Sequence, residues 1–212
     1  MDRRVFIRSL AALAGAGITL GPDQVRALLR CQDNQQMMMR QCEAGISSQV
    51  LQVNAAAVGG QHMSQWCWAA CIEMIFRYYG FIVPQERIVR ETWGQIYNQP
   101  ADAQTILKNL NRPWIDDQGR RFMALGDVYS VNVVTAAQDL SNDMPLIIGT
   151  MGHAMVLTSM VYHCFWNGVM FVNCGIDAAI VRDPWPGHGR RNLSPEEWTK
   201  MAFAARVRLQ PA

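Results

Sequence analysis

Six cysteines, at positions 31, 42, 67, 71, 164 and 174, and four histidines, at 62, 153, 163 and 188, are the residues of this 212-residue chain best suited to nucleophilic chemistry. A thiol becomes a working nucleophile when a helix N-terminus, an imidazolium or both lower its pKa. Cys67 meets the first condition. Ser64 is a suitable N-cap for a helix over residues 65–79 that ends at Gly80, and such a helix holds Cys67 in its first turn, where backbone amides point outward. The base for such a thiol should be a histidine on a later strand, and a third group must hold the imidazole in the correct tautomer.

The segment Gln61-His62-Met63-Ser64-Gln65-Trp66-Cys67-Trp68-Ala69-Ala70 resembles the nucleophile segment of papain-like cysteine peptidases, in the form found in plant-pathogen effector and bacteriocin-processing peptidases of bacteria. It departs from papain itself, which has a Cys-Gly-Ser-Cys-Trp run, in that Ser64-Gln65-Trp66 precedes the expected nucleophile here. The resemblance implies that Gln61, six residues ahead of Cys67, is an oxyanion-hole donor. Gly152-His153-Ala154-Met155-Val156-Leu157 is similar to the histidine segment of that family, making His153 the base. Val181-Arg182-Asp183-Pro184-Trp185-Pro186-Gly187 is similar to its third segment, with Asp183 orienting the ring and Trp185 shielding that bond from water. Trp68 and Gly152 enter as further cleft or shielding positions. The reaction so implied is peptide-bond hydrolysis through a thioester acyl-enzyme, on a protein or peptide substrate and with no cofactor.

The remaining histidines fit the base less well. His163 lies ten residues beyond His153, about 33 Å away on a continuous strand, His62 adjoins Gln61, and His188 falls in a Pro-Gly-His-Gly loop open to solvent. Cys71, one helical turn past Cys67, reads as a core residue. A zinc site from Cys67, Cys71 and His153 lacks any Cys-x-x-Cys pair and would consume the nucleophile, so no metal is assigned. The competing activities are a cysteine amidase acting on cell-wall peptides or glutamine side chains, a non-catalytic binding protein of the same fold, and an extracytoplasmic zinc-binding domain.

Six cysteines suit an oxidising compartment. Cys31 with Cys42 is the easiest local pair. A two-residue Asn167-Gly168 turn would pair Trp166 with Val169 and leave Cys164 and Cys174 on opposite faces, disfavouring a bridge between them.

At the N-terminus, Arg3-Arg4-Val5-Phe6-Ile7-Arg8 precedes an uncharged stretch over 9–21, and it resembles a twin-arginine export signal. Residues 1–27 are therefore expected to be a leader handled by the twin-arginine export machinery, residues 28–48 an arm or propeptide-like extension, and 49–212 the catalytic domain, acting in the periplasm or secreted. Removal of 1–27 takes four cations, at 3, 4, 8 and 26, and two anions, at 2 and 23, so the formal charge of +2 falls to zero. With its Lys and Arg residues scattered, nothing points to a nucleic-acid partner. No charged residue lies between Asp143 and Asp177, but Pro145, Gly149, Gly152 and Asn167-Gly168 interrupt the stretch. It reads as buried strands, with no membrane span after leader removal.

The elements that must position the site are expected to divide the chain. Helices over 65–79, 84–96 and 102–111 fill its first half. Strands over 121–128, 146–149, 154–165, 169–173, 179–182 and 204–209 fill the second, with short helices over 133–140 and from Ser194. The expected fold class is α+β and papain-like: a helical first half, with a central nucleophile helix, packed on an antiparallel sheet.

Overall fold

The structure is a computed structural model that describes residues 27–47 and 59–211. The leader expected over 1–27, except for Ala27 at its end, and the first residues of the expected catalytic domain, 49–58, lie outside the described residues.

One antiparallel sheet of nine strands carries the described residues. In chain order the strands are β1 (Leu28–Asn34), β2 (Met39–Gly45), β3 (Pro113–Ile115), β4 (Arg121–Tyr129), β5 (Leu146–Thr150), β6 (His153–Trp166), β7 (Phe171–Asp183), β8 (Gly189–Asn192) and β9 (Met201–Pro211). Five helices accompany them: α1 (Cys67–Tyr78), α2 (Gln85–Trp93), α3 (Ala103–Asn109), α4 (Val133–Ser141) and α5 (Pro195–Thr199). Strands take 42% of the described residues and helices 24%, which overturns the expected papain-like α+β arrangement. The protein is a β-rich fold, and its first half is not helical throughout.

Two features account for the difference. Residues 28–45, too polar to show a strand period, form the β1–β2 hairpin, which adds to β6 with Met39 opposite Phe165 and Gly45 opposite Ser159. In β2 burial alternates only over Gln41–Ala44, and Gly45 breaks the alternation, so the period is too short to mark the strand. The two strands expected over 169–173 and 179–182 are one, β7, whose thirteen residues pair along β6 through several bulges.

The sheet is covered on both faces, and this explains the charge-free run. Ile147, Ala154, Val156, Ala205 and Val207 pack with Ile72, Ile75 and Phe76 of α1 on one face. Leu146, Ile148, Met155 and Leu157 pack with Ala136, Ala137 and Leu140 of α4 on the other. Alternate residues of β5 and β6 thus serve opposite cores, and among the described residues no helix is long and apolar enough to cross a membrane.

Cys31–Cys42 is a disulfide between directly opposed residues of β1 and β2. Cys164–Cys174 is a disulfide as well, contrary to the register expected from sequence. The turn is longer than two residues: Asn167 Oδ1 accepts from the backbone of both Val169 and Met170, and Trp166 pairs with Phe171. A bulge between His163 and Phe165, with Asn173 at φ 50°, then sets Cys174 beside Cys164.

Candidate active site

Helix α1 begins at Cys67 itself. Its N-cap is Trp66, which makes no side-chain capping bond, so the expected cap by Ser64 does not form. Ser64 instead accepts from Asn98 Nδ2 at 3.0 Å, Gln65 N donates to Asn98 Oδ1 at 3.0 Å, and Trp66 Nε1 donates to Tyr97 O at 2.7 Å. Trp68 Nε1 donates to Gln99 O at 3.2 Å. The aromatic residues around the thiol are therefore core anchors, 1% exposed each, that stitch the 97–99 loop to the helix start. Trp68 is a structural neighbour of the cleft, packed edge-on to Trp93.

His153 opens β6 immediately after a two-residue turn. Thr150 pairs with His153, and Met151 and Gly152 between them both have positive φ, 50° and 79°. That is the mirror-type hairpin turn in which glycine is favoured at the second position. Asp183 closes β7, where Pro184 ends the strand. Because β6 and β7 run antiparallel side by side, the start of one and the end of the other meet at the same end of the sheet.

His153 Nε2 and Asp183 Oδ1 are 2.7 Å apart, which leaves Nδ1 to the thiol. Burial pushes the Cys67 thiol up, but the hydrogen bond with His153, the Ala154 and Trp68 amides and the His153 charge outweigh it, and Cys67 lies below the ordinary thiol range. Burial alone would lower His153; Asp183 and Cys67 raise it to about 9. Burial would raise Asp183, yet His153, the Trp185 amide, Arg191 and His188 hold it well below the carboxylate range. Cys71, fully buried on the same helix, is pushed far upward by burial and by the nearby Cys67 and Asp183 charges. Among the described residues Cys67 and Cys71 are the two free thiols, and their shifts run in opposite directions, Cys67 toward the thiolate and Cys71 away from it.

The structure thus brings Cys67, His153 and Asp183 together. Trp185 lies beside them, half exposed, with its ring centroid 6.3 Å from that of His153. Gln61 is buried next to the site, and its backbone N–H donates to Pro184 O at 2.7 Å, tying the segment before Cys67 to the one after Asp183. Gly60 allows that approach, since a Cβ there would meet Pro184 O at 2.9 Å. The Gln61 amide nitrogen donates to Met63 O and Ser64 O at 3.0 and 2.9 Å, so its hydrogens are engaged within the loop.

The cleft over Cys67 and His153 has a volume of about 510 Å³ and walls that include Trp93, Ala101, Ile106 and Phe203, with Asp102 at its edge. The Asp102 side chain accepts from Thr105 N and caps α3. The remaining histidines stand apart from the thiol: His62 Nδ1 contacts Glu86 at 2.5 Å, and His163 contacts Asp177 at 2.6 Å far along β6. His188 is not simply a solvated loop residue, because its Nδ1 lies 3.0 Å from Asp183 Oδ2. Arg191, which carried no motif signal, also donates to Asp183. Among the described residues no group of three or more His, Cys, Asp or Glu could hold a metal ion.

No family model matches the chain, and no curated protein is significantly similar to it.

Proposed function

We propose that this protein is a cysteine peptidase whose Cys67, His153 and Asp183 carry out acyl transfer on peptide bonds, using the chemistry of papain-like peptidases on a β-rich scaffold. One arrangement carries the reading: Cys67 at a helix start shares a cleft with His153, whose Nε2 lies 2.7 Å from the buried Asp183 carboxylate, and the imidazole beside the thiol holds it below the ordinary thiol range. An open, largely apolar cleft over the thiol supports a peptide as substrate.

The Cys67 thiolate attacks the scissile carbonyl carbon, and the oxyanion lies against the Cys67 backbone amide at the start of α1. His153 as imidazolium gives its Nδ1 proton to the leaving amine. Water, deprotonated by His153, then cleaves the thioester and returns the thiolate. Asp183 keeps Nε2 protonated throughout, and Trp185 limits water at that bond. Gln61 acts on the site through the loop that it closes. The twin-arginine-type leader supports action after export, in the periplasm or outside the cell.

Iodoacetamide labelling of the purified protein across pH tests the reading. Cys67 is expected to label fast and ahead of Cys71, and His153→Ala should slow it strongly. Equal labelling of both thiols, or indifference to His153→Ala, would overturn the assignment. A positive result followed by absence of cleavage in a peptide library, with release of ammonia from glutamine side chains, would move the activity to an amidase.

A further inference from the structure

Asp183 receives four hydrogen bonds, and the imidazole supplies one of them. Oδ1 accepts from His153 Nε2 at 2.7 Å and from Trp185 N at 2.9 Å. Oδ2 accepts from Arg191 Nε at 2.8 Å and faces His188 Nδ1 at 3.0 Å. With its side chain 2% exposed, the carboxylate has little water to fill a vacant lone pair, so each donor helps to fix its orientation.

Arg191 is itself clamped. Its Nη1 and Nη2 donate to Glu197 Oε2 and Oε1 at 3.0 and 2.6 Å, Nη1 reaches Asn192 O at 3.1 Å, and Nη2 rests 3.1 Å from Met155 Sδ. Glu197 is held in turn by a reciprocal capping box with Ser194 at the start of α5. The Glu197 carbonyl accepts from Thr150 Oγ1 at 2.6 Å, and Thr150 is the last β5 residue before the turn that delivers His153. Helix α5 therefore braces the carboxylate through Arg191 and the imidazole's hairpin through Thr150.

We propose that Arg191, clamped by Glu197, is a positioning residue that holds Asp183 in the one orientation aligning His153 on Cys67. This rests on the reading of Cys67, His153 and Asp183 as the reacting centre. The charged and titratable groups facing Asp183 are His153 from β6, His188 from the turn after β7, Arg191 from β8 with Glu197 of α5 behind it, and Cys71 from α1. A planar fork can bridge two carboxylates at once; an ammonium cannot reproduce that geometry.

The test uses full-length protein with three readouts: Cys67 labelling rate at neutral pH, the downfield proton resonance of His153 Nε2–H, and thermal unfolding. Arg191→Met should remain folded, label Cys67 at least tenfold more slowly and lose the sharp Nε2–H resonance; Arg191→Lys should restore little of either. A role confined to stability would lower the melting temperature and leave the labelling rate and resonance of the folded variant at wild-type values, and that result overturns the proposal. Should Arg191→Met fail to fold, Glu197→Gln, which keeps the capping box, is read the same way. Should that fail too, Arg191 Nε–H in the wild type decides: exchange as slow as a buried amide supports the clamp, and exchange like an exposed guanidinium excludes it. If wild-type Cys67 shows no His153-dependent labelling, the underlying assignment has failed and the clamp falls with it; His153-dependent labelling that ignores Arg191 sinks the clamp alone.

Discussion

At the scale of single residues, the site depends on two shifts of opposite sign. The thiol is lowered and the imidazole raised to about 9, so the ion pair fills as pH rises through the Cys67 value and empties as pH rises through about 9. If the protein cleaves peptides as proposed, the rate should therefore hold through neutral pH and fall on the alkaline side near 9. Asp183→Asn removes the main group raising His153, so the alkaline limb should move down toward the ordinary imidazole value; a limb that stays in place would detach Asp183 from His153. Gln61 supplies a second expectation. With both amide hydrogens on loop carbonyls, Gln61→Ala should lower the melting temperature and cost less in kcat than the roughly 10²–10³-fold that follows loss of a direct oxyanion donor. The larger loss without a stability change would make Gln61 the donor itself. Cys67, His153 and Asp183 were legible because each sits in a short segment with its own neighbours. Arg191 was not, since one arginine in a polar strand carries no local mark until β7 and β8 bring it to Asp183.

At the scale of elements, the tight turn between β5 and β6 sets His153 at the cleft, and Phe203 of the neighbouring β9 forms part of the cleft wall. Gly149 lies opposite Phe203, and a Cβ at that glycine would meet the Phe203 ring at 2.1 Å. Gly149→Ala should therefore push the ring aside into the space over Cys67, at a cost of about 1–3 kcal/mol for overpacking. Expected readouts are a lower melting temperature and a raised KM with kcat less affected; an unchanged KM would remove Phe203 from the cleft wall. Elements with a strong local signal were readable from sequence. The α5 start has its cap, proline and acidic turn, and β4, β5 and β9 fall close to their expected ranges. The β1–β2 hairpin was not readable, because the edge strand β1 is exposed after its first residue and β2 alternates over only four residues. The Cys164–Cys174 bridge was hidden by an Asx-type turn and a bulge, each of which shifts register without leaving a period in the sequence.

At the scale of the whole molecule, β6 and β7 carry the proposed site at one end and a disulfide at the other. Cys164 is eleven residues from His153 along β6, about 36 Å on an extended strand, and Cys31–Cys42 ties the hairpin that lies against that distant half. Replacing Cys164 and Cys174 together by Ser should cost about 2–3 kcal/mol, as expected for a closed loop of this length, with the Cys67 labelling rate unchanged. The staples also make the compartment measurable. Disulfides persist where glutathione and thioredoxin do not reduce them, so a chain delivered by its leader should hold two free thiols, Cys67 and Cys71. Arg3→Lys combined with Arg4→Lys disables a twin-arginine signal but leaves the hydrophobic stretch over 9–21 in place. The variant should stay in the reducing cytosol with all six thiols free. Counting thiols under denaturing conditions, after rapid alkylation of intact cells, distinguishes the two states directly. Two thiols in the double-lysine variant would show export without the arginine pair, and six in the unaltered chain would place the working protein in the cytosol.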